Sequence, residues 1–161
     1  MDITQTYLSV LVDTLQKKKD VLEIISNLTE QQKQILQNDN FEEEEFQKTI
    51  DQKEKYLKEL EKLDSGFEQV YERVALVLKH NKEMYQEKIQ IAQQLIREVM
   101  DLSVGIRALE EQNKERFFYC LLNKRGKIKS FKTGNKVAIN YYKNMPNMHQ
   151  VGQSYFLDKK K

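Results

Sequence analysis

Between Lys82 and Leu122 the chain contains no proline and a single glycine, Gly105. Through this stretch apolar or aromatic residues recur in steps of three and four: Tyr85, Ile89, Ala92, Ile96, Val99, Leu102, Ile106 and Leu109. After a polar step at Asn113 the series resumes with Phe117 and Cys120. That is the spacing of one helical face, and its alternation of fours and threes is that of a coiled-coil seam. A helix of this length reaches roughly 60 Å at ~1.5 Å per residue. It cannot bury its stripe against itself, so other helices must lie along it.

The remainder of the chain is suited to supply those partners. Its 161 residues suit one domain, 32% of them are charged, and the only proline is Pro146. A mean hydropathy of −0.75 is too polar for a thick core, but a coil of few helices needs only a narrow apolar seam. The expected fold is all-α: an antiparallel helical coil or bundle of three or four helices, two of them long, with a semi-mobile C-terminal tail. No apolar run approaches the ~18 residues of a membrane span, so no membrane insertion is expected. The opening Met-Asp-Ile-Thr lacks the zones of a signal peptide, and a lone Cys120 gives no disulfide framework. The expected location is cytoplasmic.

The formal net charge of +2 conceals two unlike parts. Residues 1–122 hold 17 Lys and Arg against 24 Asp and Glu, a charge of −7. Residues 123–161 hold 10 Lys and Arg against one acid, Asp158, a charge of +9. The chain therefore divides into a helical body, 1–122, and a basic, aromatic-rich C-terminal tail, 123–161. The body holds all the long apolar stripes and is expected to fold without the tail.

The first helix is expected over about Asp2–Gln37, opened by the capping-box spacing of Asp2 and Gln5. Lys18 and Gln32 fall on its seam, where they weaken packing and help fix register. Asn38-Asp39-Asn40 breaks the pattern with residues that tolerate left-handed backbone and cap helices. The run Glu42–Glu45 then lies in the first turn of a second helix, where carboxylates meet the positive end of the dipole. That helix is expected over Glu42–Leu63 with Phe46, Ile50, Leu57, Leu60 and Leu63 inward and Lys53 on the seam. Asp64-Ser65-Gly66 predicts an interruption, and Ser65 with Glu68 forms a second capping box. A short third helix with Phe67, Val70 and Val74 should follow and fade at His80-Asn81.

The tail is punctuated by Gly126, Gly134, Pro146 and Gly152, yet it carries Phe131, Tyr141, Tyr142, Tyr155 and Phe156. Val137, Tyr141 and Met145 fall at i, i+4 and i+8, one adhesive face on a short helix that Pro146 ends. This composition fits a segment that orders on binding.

Catalytic and metal-ligating patterns do not emerge. His80 and His149 stand far apart without cysteines nearby, and no phosphate-cradling or nucleophile-elbow motif is present. The carboxylates read as solvated helix faces, and Cys120 as a small buried hydrophobe. The expectation is a protein that is not an enzyme and uses no cofactor and no metal. Three classes remain: a module that shields a protein partner, a structural coiled coil, and a nucleic-acid binder using the tail. A pure spacer has no need of five aromatics in its tail. A body of charge −7 repels phosphate, so no nucleic-acid partner is expected. The first class is favoured.

Several segments together carry a family resemblance. They are Leu11-Val-Asp-Thr-Leu-Gln-Lys-Lys-Lys-Asp20, Asp51-Gln-Lys-Glu-Lys-Tyr-Leu57, Leu63-Asp-Ser-Gly-Phe67 and Asp101-Leu-Ser-Val-Gly-Ile106. In the tail they are Ala138-Ile-Asn-Tyr-Tyr-Lys-Asn-Met145 and Tyr155-Phe-Leu-Asp-Lys-Lys160. In this order, over nearly the whole length, the chain resembles the FlgN-like flagellar export chaperones in their clostridial and bacillar form. The resemblance implies a cytoplasmic chaperone that binds the C-terminal helical segments of hook–filament junction proteins. It implies that such a chaperone prevents their premature assembly and delivers them to the flagellar type III export apparatus, contacting the export gate. It also implies that the tail binds the client, and it carries that role to Val137, Tyr141, Tyr142 and Met145.

Overall fold

In a computed structural model the described residues are 3–123 and 137–144. Three long helices dominate: α1, Ile3–Leu36; α2, Glu43–Asn81; and α3, Gln86–Asn123. A single 3₁₀ turn, Lys82–Tyr85, joins α2 to α3. A short helix, α4, covers 137–144. No strand occurs among the described residues, as the all-α reading requires.

Cross-helix contacts set the directions. Gln32 meets Thr49, Lys18 meets Asp64 and Tyr7 meets Arg73, so α1 and α2 are antiparallel. Lys88 meets Ser9, Glu98 meets Lys19 and Asn113 meets Thr29, so α1 and α3 run parallel. The topology is up–down–up. The backbone of α1 lies along both other long helices. By contrast, α2 and α3 meet through large side chains such as the Phe46 and Phe117 rings, 5.5 Å apart. A groove therefore runs between α2 and α3, and its form governs the functional site.

The turn after α1 is built by side chains rather than by left-handed backbone. The Asn38 side chain accepts from the Asn40 amide at 3.0 Å, and the Phe41 amide donates to the Asn38 carbonyl at 3.1 Å. No described residue has positive φ, so the left-handed option expected at residues 38–40 is not taken. Arg116 of α3 closes the end of α1. Its Nε donates to the Leu36 carbonyl at 2.8 Å and its Nη2 to the Gln37 carbonyl at 3.1 Å. These carbonyls have no intrahelical donor, so a cation placed there satisfies both their hydrogen bonding and the helix dipole. Glu43, Glu44 and Glu45 occupy the first turn of α2, as expected, and Glu42, expected with them, immediately precedes the helix. The expected Asp2 cap lies outside the described residues.

The interruption expected at Asp64-Ser65-Gly66 is absent; the anticipated second and third helices are one, α2. Asp64 pairs with Lys18 of α1, so its carboxylate is held across the interface, and Ser65, the expected cap, lies inside the continuous helix. Gly66 is exposed and costs ~1 kcal/mol against alanine within a helix. Continuing the helix carries Phe67 and Val74 into the core at 1% and 2% exposure, which outweighs that cost at ~1.5–3 kcal/mol per buried side chain.

The apolar seam of α1 is Leu8, Leu11, Leu15, Leu22, Ile25 and Leu36, all buried. Lys18 and Gln32 are buried on it, as their phase predicts. Burial lowers the Lys18 ammonium below its ordinary value, while Asp64 works in the opposite sense. No helix among the described residues is long and apolar enough to cross a membrane.

Candidate functional site

Near the α1–α2 turn the three seams each place polar residues at one level. From α1 come Thr29 and Gln32, from α2 Thr49 and Lys53, and from α3 Glu110 and Asn113. All six are buried. Lys53 and Glu110, each 0% exposed, form an ion pair across the α2–α3 groove. The Lys53 ammonium also donates to Gln32 Oε1 at 2.9 Å, and Gln32 Nε2 donates to the Thr49 hydroxyl at 3.0 Å. The Thr29 hydroxyl lies 3.2 Å from Glu110 Oε1 and 2.7 Å from the Ile25 carbonyl, which share its one proton. Asn113 Nδ2 donates to the Thr29 carbonyl at 3.0 Å.

Two charges withdrawn from water lose several kcal/mol each in hydration, and their attraction recovers this only with further hydrogen bonds. Here those bonds come from every surrounding helix. Shifting one helix by a turn would strand a charge among leucines, so the layer fixes axial register.

The fourth contributor is α4. Its Tyr141 hydroxyl donates to Glu110 Oε2 at 3.0 Å, and its ring lies 4.9 Å from the Lys53 ammonium. Tyr142, 0% exposed, packs beside Phe46 of α2 and Phe117 and Phe118 of α3 at centroid separations of 6.4, 5.4 and 6.4 Å. Its hydroxyl is buried without a hydrogen-bond partner among the described residues. Ala138 is buried as well, Val137 and Ile139 are half-buried, and Asn140, Lys143 and Asn144 face solvent. Thus α4 is an amphipathic helix seated in the α2–α3 groove, capping the buried ion pair with one tyrosine and an aromatic pocket with the other.

Of the residues singled out in the tail, Tyr141 and Tyr142 are brought together in this groove and Val137 flanks them. Met145 lies outside the described residues. The tail thus places three buried side chains, Ala138, Tyr141 and Tyr142, on the body, which the apolar stripes of residues 1–122 did not indicate. Glu110 was also missed, since carboxylates were assigned to solvated faces. Its position offered a signal: four residues after Ile106 and three before Asn113, it continues the seam better than Leu109, which is half-buried. Among the described residues no group of three His, Cys, Asp or Glu side chains is placed to hold a metal ion.

Burial holds the Tyr141 phenol well above its ordinary value of 10.0, with Tyr142 and then Glu54 adding to the effect. Burial likewise raises Tyr142, and it pushes the Lys53 ammonium well below 10.5. The signs give a defined alkaline profile. A lysine lowered in the folded state penalises folding below its folded value, and that penalty is relieved as pH rises towards 10.5. A tyrosine raised in the folded state gives stability that is fully present below pH 10.0 and lost above it, until the folded phenol itself ionises. Urea melts from neutral pH upward should therefore show little loss before pH 10, then a fall of about 2–3 kcal/mol per pH unit for two tyrosines. Tyrosinate absorbance of the folded chain should lack two phenols until unfolding. Full titration of all tyrosines before unfolding would show that α4 does not bury them.

No family model, curated protein or solved structure matches the chain significantly.

Proposed function

We propose that this chain is a non-enzymatic, protein-binding export chaperone of the FlgN-like kind, acting without a cofactor. Its clients are the hook–filament junction proteins, and its site is the α2–α3 groove with α4. The observation supporting this is that a short amphipathic helix already occupies the groove through two buried tyrosines. Helix-in-groove recognition needs such a receptor: a hydrophobic trough with a few oriented polar groups. The eight described residues of α4 are marginal as a helix by themselves, so what seats them is the groove rather than their own propensity. A client's C-terminal helix takes the place of α4; in place of the direct client contact that the resemblance gives Val137, Tyr141, Tyr142 and Met145, this proposal makes Val137, Tyr141 and Tyr142 part of the helix that the client displaces. The chaperone works in the cytoplasm and hands its client to the export gate.

The test is calorimetric titration of the intact chain with the C-terminal helical part of a hook–filament junction protein. Saturable binding with loss of amide-exchange protection in 137–144 is expected. Tyr141→Ala loosens α4 and should tighten client binding, because a site blocked for part of the time shows a correspondingly weakened affinity. No binding by either chain would remove the flagellar assignment.

A further inference from the structure

The two subsites under α4 differ in chemistry, and α4 suits one better than the other. At the first, the Tyr141 hydroxyl meets Glu110 Oε2 and the ring faces the Lys53 ammonium; a hydrogen-bond donor on an aromatic ring uses both features. At the second, the Tyr142 ring is enclosed by Phe46, Phe117 and Phe118, and its hydroxyl is buried with no partner among the described residues. The lost hydration of that oxygen is uncompensated, which weakens seating by roughly tenfold or more. The pocket accepts a phenyl ring and penalises a phenol.

We infer that the α2–α3 groove is a receptor for a partner helix that carries a tyrosine followed directly by a phenylalanine. On this inference α4 is an internal stand-in, held below its best fit by the Tyr142 hydroxyl. This rests on the reading above that a helical partner engages the groove, and it adds the side chains by which the partner is chosen. The misfit has a use. A tethered helix competes at an effective concentration of about millimolar, so a perfectly matched α4 would exclude partners present at ordinary levels. One unsatisfied hydroxyl lowers that barrier by roughly tenfold or more.

The test uses the full-length chain and peptides of its own sequence, with no client. Ala138→Glu places a carboxylate at a site that is 1% exposed, and so unseats α4 without altering any groove residue. A labelled peptide of residues 134–147 should bind this variant and bind the unaltered chain at least tenfold more weakly. The same peptide with Tyr142→Phe should bind the variant about tenfold more tightly, and with Tyr141→Phe more weakly. In the intact chain, Tyr142→Phe alone should raise the melting temperature and slow amide exchange in 137–144. Equal affinity of the parent and Tyr142→Phe peptides overturns the inference, as does a lowered melting temperature in the intact Tyr142→Phe chain. Absence of peptide binding to Ala138→Glu, with its helical circular dichroism retained, does the same. If the peptides behave as stated while the hook–filament junction fragment fails to bind, the receptor stands and only the flagellar client falls.

Discussion

Glu110→Ala should lower the free energy of unfolding by about 3–5 kcal/mol, the range for breaking a buried ion pair from one side. Glu110 is 0% exposed and accepts from Lys53 and Tyr141. Its removal leaves a buried ammonium with Gln32 as its remaining polar contact and a buried phenol with no acceptor. Lys53→Met alone strands the carboxylate and should cost a similar amount. Lys53→Met combined with Glu110→Leu should be neutral or better, because packed hydrocarbon of similar volume needs no hydration to replace. The measurement is a double-mutant cycle of urea melts on the parent, Lys53→Met, Glu110→Leu and the double variant, in which the coupling term exceeds either single loss. If the double replacement is as damaging as the singles together, the pair contributes net stability beyond what packed hydrocarbon supplies. The apolar pair should also relax helix register, visible as broadened side-chain methyl resonances in the double variant alone.

Tyr142→Ala should remove the seating of α4 altogether. Truncating a wholly buried aromatic ring costs about 3–5 kcal/mol, more than a helix seated by so few buried side chains can absorb. The helix then leaves the groove and takes Tyr141 with it. Phe46, Phe117 and the Lys53–Glu110 pair lose their cover, so the loss extends to the body. A fragment of residues 1–122 should fold, yet melt at the same reduced temperature as Tyr142→Ala. The body is thus still expected to fold without the tail, but at lower stability. Equal melting temperatures for the intact chain and the fragment would mean that α4 contributes nothing to the body. Amide exchange gives an independent reading: Tyr142→Ala should abolish protection in 137–144 while leaving the centre of α1 slow to exchange.

The helices were legible because their signal is periodic and local. Steps of three and four placed Val99, Ile106, Phe117 and Cys120 on the buried face of α3, and phase alone placed Lys18, Gln32 and Lys53 on theirs. What sequence could not reveal depended on contacts between elements. Asp64-Ser65-Gly66 has the composition of a break, but Lys18 claims Asp64 from another helix and Phe67 needs the helix to continue. Glu110 resembles its exposed neighbour Glu111 until Lys53, Thr29 and Tyr141 are brought to it from remote parts of the chain. Tyr141 was recognisable as adhesive by its spacing from Val137, whereas Tyr142 and Ala138, off that expected face, are buried beside it; the surface they adhere to is made by α2 and α3 jointly and belongs to no contiguous segment.

The up–down–up topology also orders the events of assembly. The contacts joining α1 to α2 nearest their turn span 17 residues, Gln32 to Thr49, whereas those joining α1 to α3 span 79 to 84. Closing the longer loops costs more chain entropy, and on the ribosome α3 emerges only after the α1–α2 hairpin is complete. Lys53 is thus made, and meets Gln32, well before Glu110 exists. Until α3 docks, the ammonium must stay hydrated, so the hairpin cannot close over it. The charge that holds the finished bundle in register keeps the nascent hairpin open on the side where α3 will land.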